Sequence, residues 1–158
     1  MLHSSREYNS LKLILQVAPN LSQLFIAFDN LLPIFNDKQT CQLLGKRINH
    51  LLILRSASTA PTPLSEEYVP YLLTTFTLLR HLQIDITNGK PIESIILSII
   101  ETFREQSQFI SLVVEGKTSC DQIKFNTRQW LIDNTHLTVE RKFDAQFKEQ
   151  TNRFLLWL

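Results

Sequence analysis

Specialised residues are scarce in this chain. Its two cysteines, Cys41 and Cys120, stand 79 positions apart, too few and too isolated for a disulfide framework or a thiolate zinc site, so a reducing compartment is expected. The three glycines, Gly45, Gly89 and Gly116, are dispersed, and neither GxGxxG nor GxxxxGK[ST] can be built from them. Glu115-Gly116-Lys117-Thr118-Ser119 contains GKT, but Ser111 occupies the place of the first phosphate-loop glycine, and the segment reads as a strand-to-helix turn. There is no GxSxG elbow, and Ser, His and Asp are too scattered for a triad. His3, His50, His81 and His136 have no HxxxH spacing and no accompanying acid or thiol cluster, so neither metal nor cofactor is expected. Charge of one sign is also missing. Sixteen Lys and Arg against fifteen Asp and Glu give a net charge of +1, which selects for neither nucleic acid nor an anionic membrane. Lys38, Lys46 and Arg47 lack interleaved aromatics, and Glu66-Glu67 and Glu140-Arg141-Lys142 read as solvated faces. The apolar run from Ile95 to Ile100 is broken by Ser98 and falls short of the roughly 18 residues of a membrane span. The opening MLHSSREYNS lacks the apolar stretch of a signal peptide. A soluble intracellular protein is expected, cytoplasmic or nuclear, without nucleic acid or membrane partners.

What the chain does have is an ordinary core composition: 158 residues, 44% hydrophobic and 20% charged, enough for one folded domain. It also has a repeat. Leu21-Ser22-Gln23-Leu24-Phe25-Ile26 places apolar residues first, fourth and sixth, and the spacing recurs at Ile48 to Ile53, Leu79 to Ile84 and Phe109 to Val114. The marker residues Leu24, Leu51, Leu82 and Leu112 are separated by 27, 31 and 30 positions, a solenoid-like period. Each unit ends in period-two alternation, the pattern of a short strand buried on one face.

Between the strands the period becomes helical. Ile92, Ile95, Ile96, Ile99, Ile100 and Phe103 form one apolar stripe, with Asn88-Gly89 as a turn before it and Pro91 suited to the first helical position. Other helices are expected over Tyr8 to Val17, Asp29 to Phe35 as a short turn, and Lys38 to Arg47 capped by Asp37. Glu66 to Leu79 is expected to be helical too, capped by Ser65 and kinked or delayed by Pro70, and a last helix opens at Ser119 or Asp121. The Ser/Thr/Pro stretch Ser56 to Pro63 reads as a surface loop. Residues 1–19 are thus an N-terminal helix and residues 20–134 the repeats. Residues 135–158, with Val139, Phe143, Ala145 and Phe147 before Phe154, Leu156 and Leu158, form a C-terminal hairpin covering the end of the stack.

The LxxLxL strands with intervening helices resemble the leucine-rich repeat superfamily, whose signature is LxxLxLxxNxL. The first unit matches furthest, with Leu21, Leu24, Ile26, Leu31 and Asp29 in place of the Asn; Ser56, Thr87 and Lys117 take that place in the others. Long irregular units of this kind are similar to those of F-box-type leucine-rich repeat proteins, over about residues 8–117. The resemblance implies an α/β solenoid of about four strand-helix units with parallel strands, and a role as the substrate-recognition part of a ubiquitin ligase adaptor.

With Leu24 and Ile26 and their equivalents turned to the helices, the opposite strand face carries Phe25, Leu52, Leu54, His81, Gln83, Asp85, Val113 and Glu115. Exposed apolar residues in such rows mark a partner site. Phe25, Leu52 and Leu54 are the expected anchors, and His81, Asp85 and Glu115 the orienting polar contacts. His50 and His81 share a repeat position and are expected to be neighbours, as a packed or solvated ladder rather than a site. The expected function is non-catalytic binding of a protein partner; the alternative is a small α/β enzyme with a coincidental repeat pattern.

Overall fold

The computed structural model describes residues 3–55, 62, 64–86, 91–104, 108–138 and 142–158. Helix α1 (His3–Val17) leads into β1 (Gln23–Ala27), α2 (Phe28–Leu31), a 3-10 turn (Ile34–Asn36), α3 (Lys38–Gly45) and β2 (His50–Leu54). A second 3-10 turn (Glu66–Tyr68), α4 (Val69–Thr75), β3 (His81–Asp85), α5 (Glu93–Thr102), β4 (Ser111–Glu115) and α6 (Asp121–Asn134) follow. The chain ends in β5 (Asp144–Lys148), a third 3-10 turn (Glu149–Thr151) and β6 (Arg153–Trp157). The protein is α/β, and its strands form one six-stranded, mostly parallel sheet in the order β1-β2-β3-β4-β6-β5.

The four repeat strands pair in parallel and in register. Leu24 stands beside Leu51, Leu51 beside Leu82, and Leu82 beside Leu112, while Ile26, Ile53, Ile84 and Val114 form a second row. These residues are at most 9% exposed. They meet Leu44 of α3, Val69 and Leu72 of α4, Ile95, Ile96 and Ile99 of α5, and Ile123, Trp130 and Leu131 of α6 in one buried cluster. The units also share a backbone device at strand entry. Ser22 O accepts from Asn49 N and His50 N, Asn49 O from Arg80 N and His81 N, and Arg80 O from Ile110 N and Ser111 N. Each accepting carbonyl lies two residues before a marker leucine, so the stagger between strands is set identically three times.

The terminal hairpin forms and joins the sheet rather than standing apart from it. Strand β6 pairs antiparallel with both β4 and β5, which carries Phe154 and Leu156 into the buried rows at no measurable exposure. Its turn passes through Asn152 at φ 50°, a left-handed conformation that asparagine tolerates better than most residues.

Several local expectations are corrected by the structure. Pro70 moves the fourth helix's start to Val69, after a 3-10 turn, because proline fits only the first turn of a helix. That helix ends at Thr75, not Leu79. Ser65 does not cap it; its hydroxyl donates to Glu67 Oε1 at 3.0 Å. Asp37 does cap α3, accepting from Gln39 N and Thr40 N, but the helix stops at Gly45, where a Cβ would lie 2.8 Å from Thr75 O. Pro91 lies outside α5, before its N-cap Ile92. Helix α1 begins five residues before Tyr8, at His3, and the Asp29 to Phe35 segment splits into a short helix and a 3-10 turn. Helix α6 opens at Asp121 and is kinked at Asn126 (φ −147°, ψ 64°), whose Oδ1 then accepts from Gln129 N and restarts it. The Asn88-Gly89 turn, most of the Ser56 to Pro63 loop and Val139 lie outside the described residues.

Glu93 ties α5 to the β4–α6 connection. Its Oε1 accepts from Thr118 Oγ1 at 2.6 Å, Ser119 N at 2.9 Å and Cys120 N at 2.9 Å. Burial by itself pushes the carboxyl up, but the Thr118 hydroxyl and the backbone N–H groups outweigh it, and the group is held below its ordinary range. A lowered carboxyl stabilises the fold at pH above its unfolded value and loses that effect as pH falls through the folded one. Glu93→Ala is therefore expected to cost about 0.5–1.5 kcal/mol at neutral pH, the net worth of hydrogen bonds that water can partly replace. Urea unfolding should show the deficit shrinking in acid.

Candidate functional site

Alternation along each strand leaves the second face of the sheet outside the core. The middle row across it is Phe25, Leu52, Gln83 and Val113, continued by Leu155 and Gln146 of the hairpin. Phe25 is 59% exposed, and Leu52 and Val113 are half-buried. One row back stand Gln23, His50, His81, Ser111 and Trp157, and one row forward Ala27 and Leu54, then Asp85, Glu115 and Arg153. All eight residues expected to contact a partner lie on this face, and none of the eight belongs to the buried core. The apolar character expected over the first two units returns at the far side, where Leu155 and Trp157 had not been anticipated. They escape a search for LxxLxL because their strand runs antiparallel and belongs to no unit.

Polar contacts order the face. The His81 Nδ1 lies 2.8 Å from Ser111 Oγ on the neighbouring strand. The His50 and His81 rings are 5.5 Å apart and tilted by 54°, and Phe25 meets His50 edge-on at 6.3 Å. Desolvation, with the neighbouring His50 and Arg80 charges, holds His81 below the ordinary imidazole range. In the forward row Arg153 Nε donates to Glu115 Oε2 at 2.8 Å. Asp85 is pushed up, first by burial and then by Glu115 beside it, against the weaker pull of Arg55 and Arg153. Arg153 was missed for the same reason as Trp157: only the hairpin's long-range pairing brings it to Glu115.

A groove of about 510 Å³ runs between α1 and the free edge of β1. Ile14, Leu21, Phe25, Ala27 and Leu54 line it with Ser10 and Asn30. Because His50 N bonds to Ser22 O, Leu24 and Ile26 turn their backbone groups toward β2, and Gln23 and Phe25 turn theirs toward the groove. Asp85 and Glu115 lie on the open sheet and not in this groove. Among the described residues no three His, Cys, Asp or Glu side chains gather as a metal site, and no helix is long and apolar enough to cross a membrane. No family model matches this chain, and no curated protein or solved structure matches it either.

A carboxyl raised by folding stabilises the native state only at low pH, and that contribution is lost as pH rises through its range. Asp85→Asn is accordingly expected to raise the melting temperature at neutral pH and to change it little well below the ordinary carboxylate range, where both states are protonated. Thermal unfolding at the two pH values checks this.

Proposed function

We propose that this chain is a non-catalytic protein-binding module, a leucine-rich-repeat-like solenoid that recognises a protein partner with its open strand face. The observation that carries the reading is a parallel sheet whose second face, among the described residues, no helix covers. Parallel sheets in α/β proteins ordinarily have both faces covered, yet here Phe25, Leu54 and Trp157 are 59%, 43% and 38% exposed on the second face. The repeated strand-entry hydrogen bonds and the constant register favour the solenoid reading. Side chains held in rows by strands are already ordered, so little conformational entropy is lost on binding.

Phe25, Leu52 and Leu54 are the apolar anchors, with Val113 continuing their row. His81, Gln83, Asp85 and Glu115 surround them as groups that fix orientation. The resemblance to F-box-type repeat proteins extends the proposal to the substrate-recognition part of a ubiquitin ligase adaptor. Affinity purification of the endogenous protein tests that extension: ligase subunits that co-purify in stoichiometric amounts would support it, and their consistent absence would remove it.

For the module itself, Phe25→Asp and Leu54→Asp are expected to weaken partner binding by at least about tenfold, the loss typical of an interface anchor. Both side chains lie outside the core, so thermal unfolding should be nearly unchanged. Undiminished binding by both folded variants would overturn the reading.

A further inference from the structure

His50 and His81 are direct register partners on adjacent parallel strands, both half-buried on the open face. Their ring centroids are 5.5 Å apart, and the 54° between the rings is far from a face-to-face stack. The stacked pair Phe103 and Phe109 in the same protein, at 4.4 Å and 25°, shows what a packed ring ladder would look like. Two imidazoles bound to one tetrahedral metal at bond lengths of about 2.0–2.1 Å have centroids about 5 Å apart, with rings converging on a shared point. The His50 and His81 rings already hold that spacing.

His81 also has a hydrogen-bond partner on one of its two ring nitrogens. Ser111 engages His81 Nδ1 at 2.8 Å from the β4 side, which leaves Nε2 as the nitrogen with a lone pair to offer when Nδ1 carries the proton. A hydrogen bond on the second ring nitrogen is the usual support of a ligating histidine.

We propose that His50 and His81 form a two-imidazole site for a divalent transition metal of the zinc and copper class. Imidazole nitrogen is a good ligand for these metals, and copper(II) is expected to bind most tightly of the first-row ions. Two protein ligands leave the remaining coordination positions on the solvent side, open to water or to a donor side chain from outside. The site stands independently of whether the face docks a protein.

The test is calorimetric titration of Zn²⁺ into the untagged full-length chain near neutral pH. A His3→Ala background keeps the histidine nearest the amino terminus from contributing. One equivalent of Zn²⁺ should bind, and His50→Ala or His81→Ala should each raise the dissociation constant by at least about tenfold. Ser111→Ala, which removes only the support of Nδ1, should weaken binding by about tenfold. His136→Ala should leave it unchanged, because that residue pairs with Glu101 away from the face. Should either alanine variant unfold, His50→Gln and His81→Gln replace it. Absence of one-equivalent binding, or equal binding by the folded double variant, would overturn the site.

Discussion

One constraint shapes the molecule: the crossovers between its parallel strands all step in the same direction. The strands lie in the order β1-β2-β3-β4, each beside the one that precedes it in the chain. Parallel crossovers are right-handed almost without exception, so a sheet that grows in one direction receives all of its connecting helices on one face. A doubly wound sheet reverses direction at its middle and covers both faces; this one never reverses within its parallel part. The open face is therefore a consequence of strand order and not of any particular residue. What evolution can adjust is which side chains stand on it.

Strand alternation then does the sorting. In each strand the marker leucine and the residue two beyond it enter the core, and the residues between and beside them cannot, because successive side chains point to opposite sides. This explains why the open face was legible in the sequence. Once Leu24, Leu51, Leu82 and Leu112 were aligned, the register of Phe25, Leu52, Gln83 and Val113 followed with no further information, and the observed pairing matches it. A shift by one residue in any strand would have turned a leucine outward, so the buried rows enforce the exposed ones.

Local signals were less informative where two requirements compete. Pro70 sits inside an apolar helical pattern, and its fixed φ and missing N–H decide the boundary over the periodicity. At Gly45 a Cβ would lie 2.8 Å from the Thr75 carbonyl of the next unit, a close approach that no reading of the α3 segment could reveal. The kink at Asn126 is another case in which a side-chain cap overrides periodicity. On the candidate site the missing pieces were all long-range. Arg153 reaches Glu115 only because β6 pairs antiparallel with β4, and Ser111 meets His81 only because the third and fourth units keep one register. Antiparallel pairing of a terminal hairpin is invisible to a search for repeats, because its strands share no motif with them.

The same geometry makes the face rigid. His50, Leu52 and Leu54 alternate with Leu51 and Ile53, which are 0% and 1% exposed, so each face residue is flanked along its strand by residues locked in the core. Asp85 follows buried Ile84 in the same way, and Glu115 follows buried Val114. Moving any face residue by more than a rotamer change would disturb close-packed leucines and isoleucines, whose repacking is costly. A ligand on this surface, whether protein or metal ion, therefore meets side chains whose backbone spacing was set during folding. Selectivity must then come from the identities along the rows, apolar at Phe25 and Leu52, imidazole at His50 and His81, and acidic at Asp85 and Glu115, rather than from adjustment of the sheet.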